Sequence, residues 1–133
     1  MPASKRFFAT LAALPAGGLS PLSRYTVANG VLYMVLGAAM LLGPRSVLGL
    51  VLAEPGSARL LGMMLTIIGW FYVMGGRTGA DSFALATVVD RALVPVVLGG
   101  LVLTGQVAAG EVAAFAVLDP LLALGAYWLW RRG

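Results

Sequence analysis

An all-α fold is what this sequence predicts: an integral membrane four-helix bundle preceded by a short amphipathic helix. Three observations lead there. Apolar residues make up 60% of the 133-residue chain and charged residues 11%, against about 45–50% and about 25% in ordinary soluble domains. A water-soluble chain of this length could not cover so much apolar surface. The apolar residues fall into four segments near the ~20 residues needed to cross about 30 Å of hydrocarbon. Basic residues gather on one side of those segments, as they do at membrane boundaries.

The chain divides into an N-terminal interfacial segment, residues 1–21, and a four-span domain, residues 22–133. The opening MPASKRFFATLAAL joins a basic start to a short apolar run. A secretory signal begins this way, but the preferred reading is an interfacial amphipathic helix. Lys5 and Arg6 would sit among headgroups, with Phe7, Phe8 and Leu11 dipping inward. Pro15, Gly17 and Gly18 then break the helix.

The predicted spans are residues 22–43, 60–75, 83–103 and 112–130. The second is short and gains length if Arg59 and Gly76 remain helical while the Arg side chain snorkels to the headgroups. Gly43-Pro44, Glu54-Pro55-Gly56, Gly75-Gly76-Arg77-Thr78-Gly79 and the stretch from Gly105 to Gly110 supply helix stops. Such short connections make neighbouring spans antiparallel. Residues 46–53 are too few to cross and read as a helical turn or two at the surface.

Lys5, Arg6, Arg24, Arg77, Arg131 and Arg132 lie on one side of this topology, and Arg45 and Arg59 on the other. The richer side is expected to be cytoplasmic, with both termini there, in a bacterial inner membrane. Tyr127, Trp128 and Trp130 before Arg131, and Tyr25 beside Arg24, fit an aromatic belt at that interface.

Helix association in lipid depends on close approach, so small residues at helical spacing mark contact faces. Gly30 and Gly37 share one stripe of the first span, and Gly62, Gly69 and Gly76 one stripe of the second. Packing within one chain is the simpler reading of these stripes than a dimer seam. Displacing the chain by 32 residues superposes Gly30, Gly37, Gly43, Arg45 and Ser46 on Gly62, Gly69, Gly75, Arg77 and Thr78. Glycine is so frequent here that coincidence explains this better than an inverted transporter repeat.

Ionisable groups at membrane depth are costly and generally face partners inside a bundle. Asp90 and Arg91 in the third span and Asp119 in the fourth are such groups. At 1.5 Å per residue Arg91 lies ~12 Å, and Asp119 roughly 19 Å, from the basic boundary. Adjacent residues point about 100° apart on a helix, so Asp90 and Arg91 each need another partner. Arg91 is expected to pair with Asp119, and Asp90 with Asn29 or Tyr33. These four residues, Asn29, Asp90, Arg91 and Asp119, form the candidate buried polar site or helix–helix link, and the link is the preferred reading. A third span starting at Ala92 would instead make Asp90 and Arg91 boundary charges. Pro95 and Pro120 remove backbone hydrogen bonds close by.

The sequence has neither Cys nor His, which removes disulfides, thiolate chemistry and the commonest metal ligand and general base. No GxxxxGK loop, metal-ligand cluster or nucleophile with a base occurs. Asp81 and Glu111 stand alone in loops, and the charges form no stripe suited to nucleic acid. Trp70, Phe71 and Tyr72 form an aromatic patch, more simply core or lipid contact than the wall of a ligand cavity. No enzyme activity and no cofactor are expected.

The stretches SARLLGMMLTIIGWFYVMGGRTG, FALATVVDRALVPVVLGGLVLTGQ and FAVLDPLLALGAYWLWRR resemble small bacterial four-span membrane proteins of unknown function, loosely DoxX-like. The resemblance covers residues 31–132 and rests on apolar organisation. It implies an accessory role beside quinone-dependent or redox membrane complexes and transfers no site residue. The expectation is a non-enzymatic accessory or scaffold protein, with a partner membrane protein or further copies of itself. The alternative is a binder or carrier of a lipid, quinone or other apolar molecule. The acidic residue that small four-span exporters usually carry in the first span is missing; Asn29 is the only candidate there.

Overall fold

The computed structural model describes residues 2–44 and 55–133, and among them every regular element is helical. Five helices follow in order: α1 (Ala3–Ala12), α2 (Pro21–Leu42), α3 (Pro55–Gly76), α4 (Asp81–Leu103) and α5 (Ala109–Arg132). The last four are long and apolar enough to cross a membrane. The surface turn expected over residues 46–53, and with it Arg45 and Glu54, lies outside the described residues.

Local chemistry explains where the helices start and stop. Pro21 opens α2 with a preset φ, and Ser20 caps it by accepting a 3.1 Å hydrogen bond from the Ser23 amide. At the far end of α2, Arg59 of α3 donates to the carbonyls of Leu41 (2.5 Å) and Gly43 (3.1 Å). A cation thereby meets carbonyl groups that have no partner within their own helix. Gly79, at φ +74°, allows the tight turn from α3 into α4. The second span is not short: α3 has 22 residues and includes both Arg59 and Gly76. α4 begins at Asp81, so Asp90 and Arg91 lie within a continuous helix and do not precede one.

The helices associate as two unequal pairs, α2 with α3 extensively and α4 with α5 less so, with sparser contact between pairs. Glycine explains the first pair. A Cβ added to Gly30 would lie 2.6 Å from the Gly69 carbonyl oxygen, and one on Gly37 2.6 Å from that of Gly62. Gly30 thus opposes Gly69 and Gly37 opposes Gly62 in an antiparallel seam where backbone meets backbone. The sequence stripes are contact faces within one chain, as the simpler reading held.

α4 and α5 bury little, and both do so near the end where the chain turns from α3 to α4. The buried residues are Ala84, Thr87 and Arg91 on α4 and Asp119, Ala123 and Ala126 on α5. Beyond Arg91 and before Asp119 neither helix has a buried residue. An apolar groove of about 460 Å³ opens there, lined in part by Pro95, Leu98, Gly99, Val112, Ala113 and Val117. Two apolar cores reflect the arrangement. Tyr33, Met40, Ala58, Leu65 and Tyr72 form one, and Leu22, Ala84 and Ala126 the other.

α1 exposes Phe7 and Phe8, stacked edge to face, together with Lys5 and Arg6. It is held to the body by Arg77, which donates a 2.7 Å hydrogen bond to the Ala12 carbonyl. That tether puts α1 at the end bearing the α3–α4 turn, and so among the basic residues.

Candidate functional site

The inward stripe of α2 is polar for three turns. Ser23, Thr26, Asn29 and Tyr33 are all buried, at the 3- and 4-residue spacing that keeps one helix face together. Thr26 satisfies itself by donating to the Leu22 carbonyl of its own helix at 3.1 Å. Tyr33, higher up, is long enough to cross to α5, where its hydroxyl donates to Asp119 Oδ1.

From α3, Tyr72 occupies the stripe set by Gly62, Leu65, Gly69 and Gly76, all buried. Its ring meets that of Tyr33 edge-on at 5.6 Å and that of Phe83 at 6.4 Å, spacings typical of favourable aromatic pairs. Its hydroxyl donates to Asp90 Oδ2 of α4 at 2.7 Å. Each carboxylate therefore accepts a hydrogen bond from a tyrosine on the other helix pair.

Arg91 has almost no exposed surface, at 1%, and its guanidinium lies 5.3 Å from the centroid of the Tyr72 ring. Nε donates to the Thr87 carbonyl at 2.9 Å and Nη2 to Thr87 Oγ1 at 2.7 Å. Nη1 has no partner, and neither does Nδ2 of Asn29. Arg91 remains close enough to act electrostatically on both Tyr33 and Asp119.

The structure brings Asp90, Arg91 and Asp119 into one cluster but pairs them differently from the sequence expectation. No hydrogen bond joins Arg91 to Asp119: Asp119 bonds to Tyr33, and Arg91 turns back onto Thr87. The cause is geometric. Side chains lean toward the N-terminus of their own helix, and α4 and α5 run in opposite directions, so the two charges lean apart. Asp90 likewise takes neither Asn29 nor Tyr33, because α3 interposes Tyr72. Asn29 is buried on α2, 4% exposed, with its amide nitrogen unpaired.

Sequence reasoning missed Tyr72 and Thr87 as members of the cluster. Both carried a signal: Tyr72 follows Gly69 by three and so shares its stripe, and Thr87 precedes Arg91 by four. The other two aromatic residues of the patch, Trp70 and Phe71, face outward.

No group of His, Cys, Asp and Glu capable of holding a metal ion occurs among the described residues. Chemically, the arrangement offers two tyrosine–carboxylate hydrogen bonds around an arginine, spread over all four long helices. Both hydrogen bonds run from one helix pair to the other. No family model matches this chain, and no curated protein or solved structure matches it.

Proposed function

We propose that this chain is a non-enzymatic, multi-pass membrane protein that serves as an accessory or scaffold subunit, with its polar cluster acting as a clasp between helix pairs. One observation carries the reading. Arg91 and Asp119 are shut inside, at 1% and 8% exposure, and the exposed Asp90 is held by the Tyr72 hydroxyl, while long apolar faces of α4 and α5 remain open. A buried arginine and carboxylates already held by hydroxyls stabilise an interface. A catalytic group would instead need access to a cleft.

The asymmetry of basic residues supports an orientation with both termini in the cytoplasm. Lys5, Arg6, Arg24, Arg77, Arg131 and Arg132 share the end to which Arg77 ties α1, whereas Arg59 stands at the opposite end. A bacterial inner membrane agrees with the resemblance to small DoxX-like proteins, as does an accessory place in a redox membrane complex. A second reading, binding of a lipid, quinone or other apolar molecule, draws support from the groove between the outer halves of α4 and α5.

Native mass spectrometry of protein extracted in mild detergent separates the two. The accessory reading expects a retained partner protein. A retained small molecule with no protein partner overturns it.

A further inference from the structure

Asp90 is the one member of the cluster that is not enclosed. Its side chain is exposed on the outer surface of α4, although Arg91 beside it is buried. Tyr72 holds Oδ2 at 2.7 Å, and the surface around the carboxylate is a groove walled by Leu93, Val94, Val97 and Leu98. Asp90 lies seven residues beyond Phe83, where the apolar stretch begins, a rise of roughly 10 Å. On the membrane reading proposed above, that puts the carboxylate about a third of the way into a core about 30 Å thick. A carboxylate at that depth calls for an opposite charge, and a single hydroxyl donor does not supply one.

Among the described residues no other cation is placed to meet it. Arg91 is turned inward onto Thr87. Lys5, Arg6, Arg24, Arg59, Arg77, Arg131 and Arg132 all belong to helix ends or connections, away from that depth. A second copy packed symmetrically on this face would bring another Asp90 toward the first, which is repulsive. Meanwhile the apolar face on which Asp90 sits extends along α4 through Val89, Leu93, Val96 and Leu103, all exposed. A small cation would cover only the carboxylate, whereas a helix would cover the whole face.

We infer that α4 docks a transmembrane helix of another protein that carries a lysine or arginine within its apolar stretch, and that Asp90, oriented by Tyr72, receives that charge. The inference rests on the accessory reading and names the chemistry of the partner. Charge complementarity supplies specificity, because an apolar helix alone gains little over lipid.

The test uses the full chain in phosphatidylcholine–phosphatidylglycerol vesicles with a labelled synthetic leucine–alanine transmembrane helix bearing one central lysine. The control helix has leucine at that position, and binding is read by energy transfer. The lysine helix should bind wild type at least about tenfold more tightly than the control. Asp90→Asn should erase the difference, and Asp90→Glu should keep most of it. Asn still accepts the Tyr72 hydrogen bond, so an unchanged gel-filtration profile shows that the variant is folded.

Equal binding of the two helices to wild type, or an undiminished lysine preference in Asp90→Asn, overturns the inference. So does Asp90-dependent binding of tetraphenylphosphonium without any lysine-helix preference, which would mark a small-cation site instead. Native mass spectrometry keeps the two failures apart. A partner protein retained equally by wild type and Asp90→Asn removes the role of Asp90 and leaves the accessory function standing, whereas wild type with no protein partner removes both.

Discussion

The seam between α2 and α3 and the open pair α4–α5 use the same small residue to opposite effect. Gly30, Gly37, Gly62 and Gly69 each press against the backbone of the facing helix, whereas a Cβ on Gly99 or Gly100 of α4 would meet nothing within 4 Å. In lipid a glycine strengthens association only where the opposite backbone comes within reach, since the apolar surface alone has no preference for protein over acyl chains. The comparison teaches that the same residue marks a backbone-to-backbone seam in the first pair and only open surface in the outer half of α4.

The sharpest way to break the contrast is to add bulk to each side. Gly69→Leu would drive a side chain into the Gly30 carbonyl and the Met34 backbone, 2.5 and 2.7 Å from the added Cβ. Little can yield there, so a loss at or above the 1–3 kcal/mol typical of overpacking is expected, read as lost folded yield and melting in detergent. Gly99→Leu should stay within about 0.5 kcal/mol of wild type. Similar losses in the two variants would show that the pairs do not differ as described.

A smaller effect probes what links the pairs. Asp119→Leu leaves the buried Tyr33 hydroxyl without its acceptor and should destabilise by about 1–3 kcal/mol. Tyr33→Phe combined with Asp119→Leu should recover part of that loss. The double-mutant cycle should give a coupling of about 0.6 kcal/mol, up to about 1.7, the range found for hydrogen bonds between membrane helices. Zero coupling would mean that the clasp does not hold the pairs together.

The smallest effect lies at the basic end, where Tyr25 of α2 donates a 3.0 Å hydrogen bond to the Leu122 carbonyl of α5. Gly125 leaves room for that ring, since a Cβ there would collide with the Tyr25 hydroxyl. Tyr25→Phe should cost no more than about 0.6 kcal/mol, whereas Gly125→Leu should cost more because the ring would have to leave. If Gly125→Leu melts like wild type, α5 does not approach α2 at this point.

Much of this was legible in the chain because it is local. Gly30 and Gly37, and Gly62 and Gly69, recur at helical spacing, and that spacing already placed each set on one face. The extension of the second apolar segment through Arg59 and Gly76 was legible too, but not that the arginine spends its charge on carbonyls of α2 instead of reaching for headgroups. The candidate site was legible by membership more than by partnership. Asp90, Arg91 and Asp119 stood out as charges in apolar sequence, but Tyr72 was hidden in an aromatic triplet and Thr87 looked ordinary.

By itself the sequence determined the helical class, the four long apolar helices, the basic end and the glycine faces. Each of these follows from composition or from a periodicity of a few residues. Only the tertiary structure decided that Tyr33 meets Asp119, that Tyr72 meets Asp90, that Arg91 folds back onto Thr87, and that Asp90 is left outside. Those outcomes depend on how far each helix is rotated and slid against its neighbours. In antiparallel helices, side chains lean in opposite directions, so two residues at similar depth can point past each other. No spacing along one chain segment encodes that.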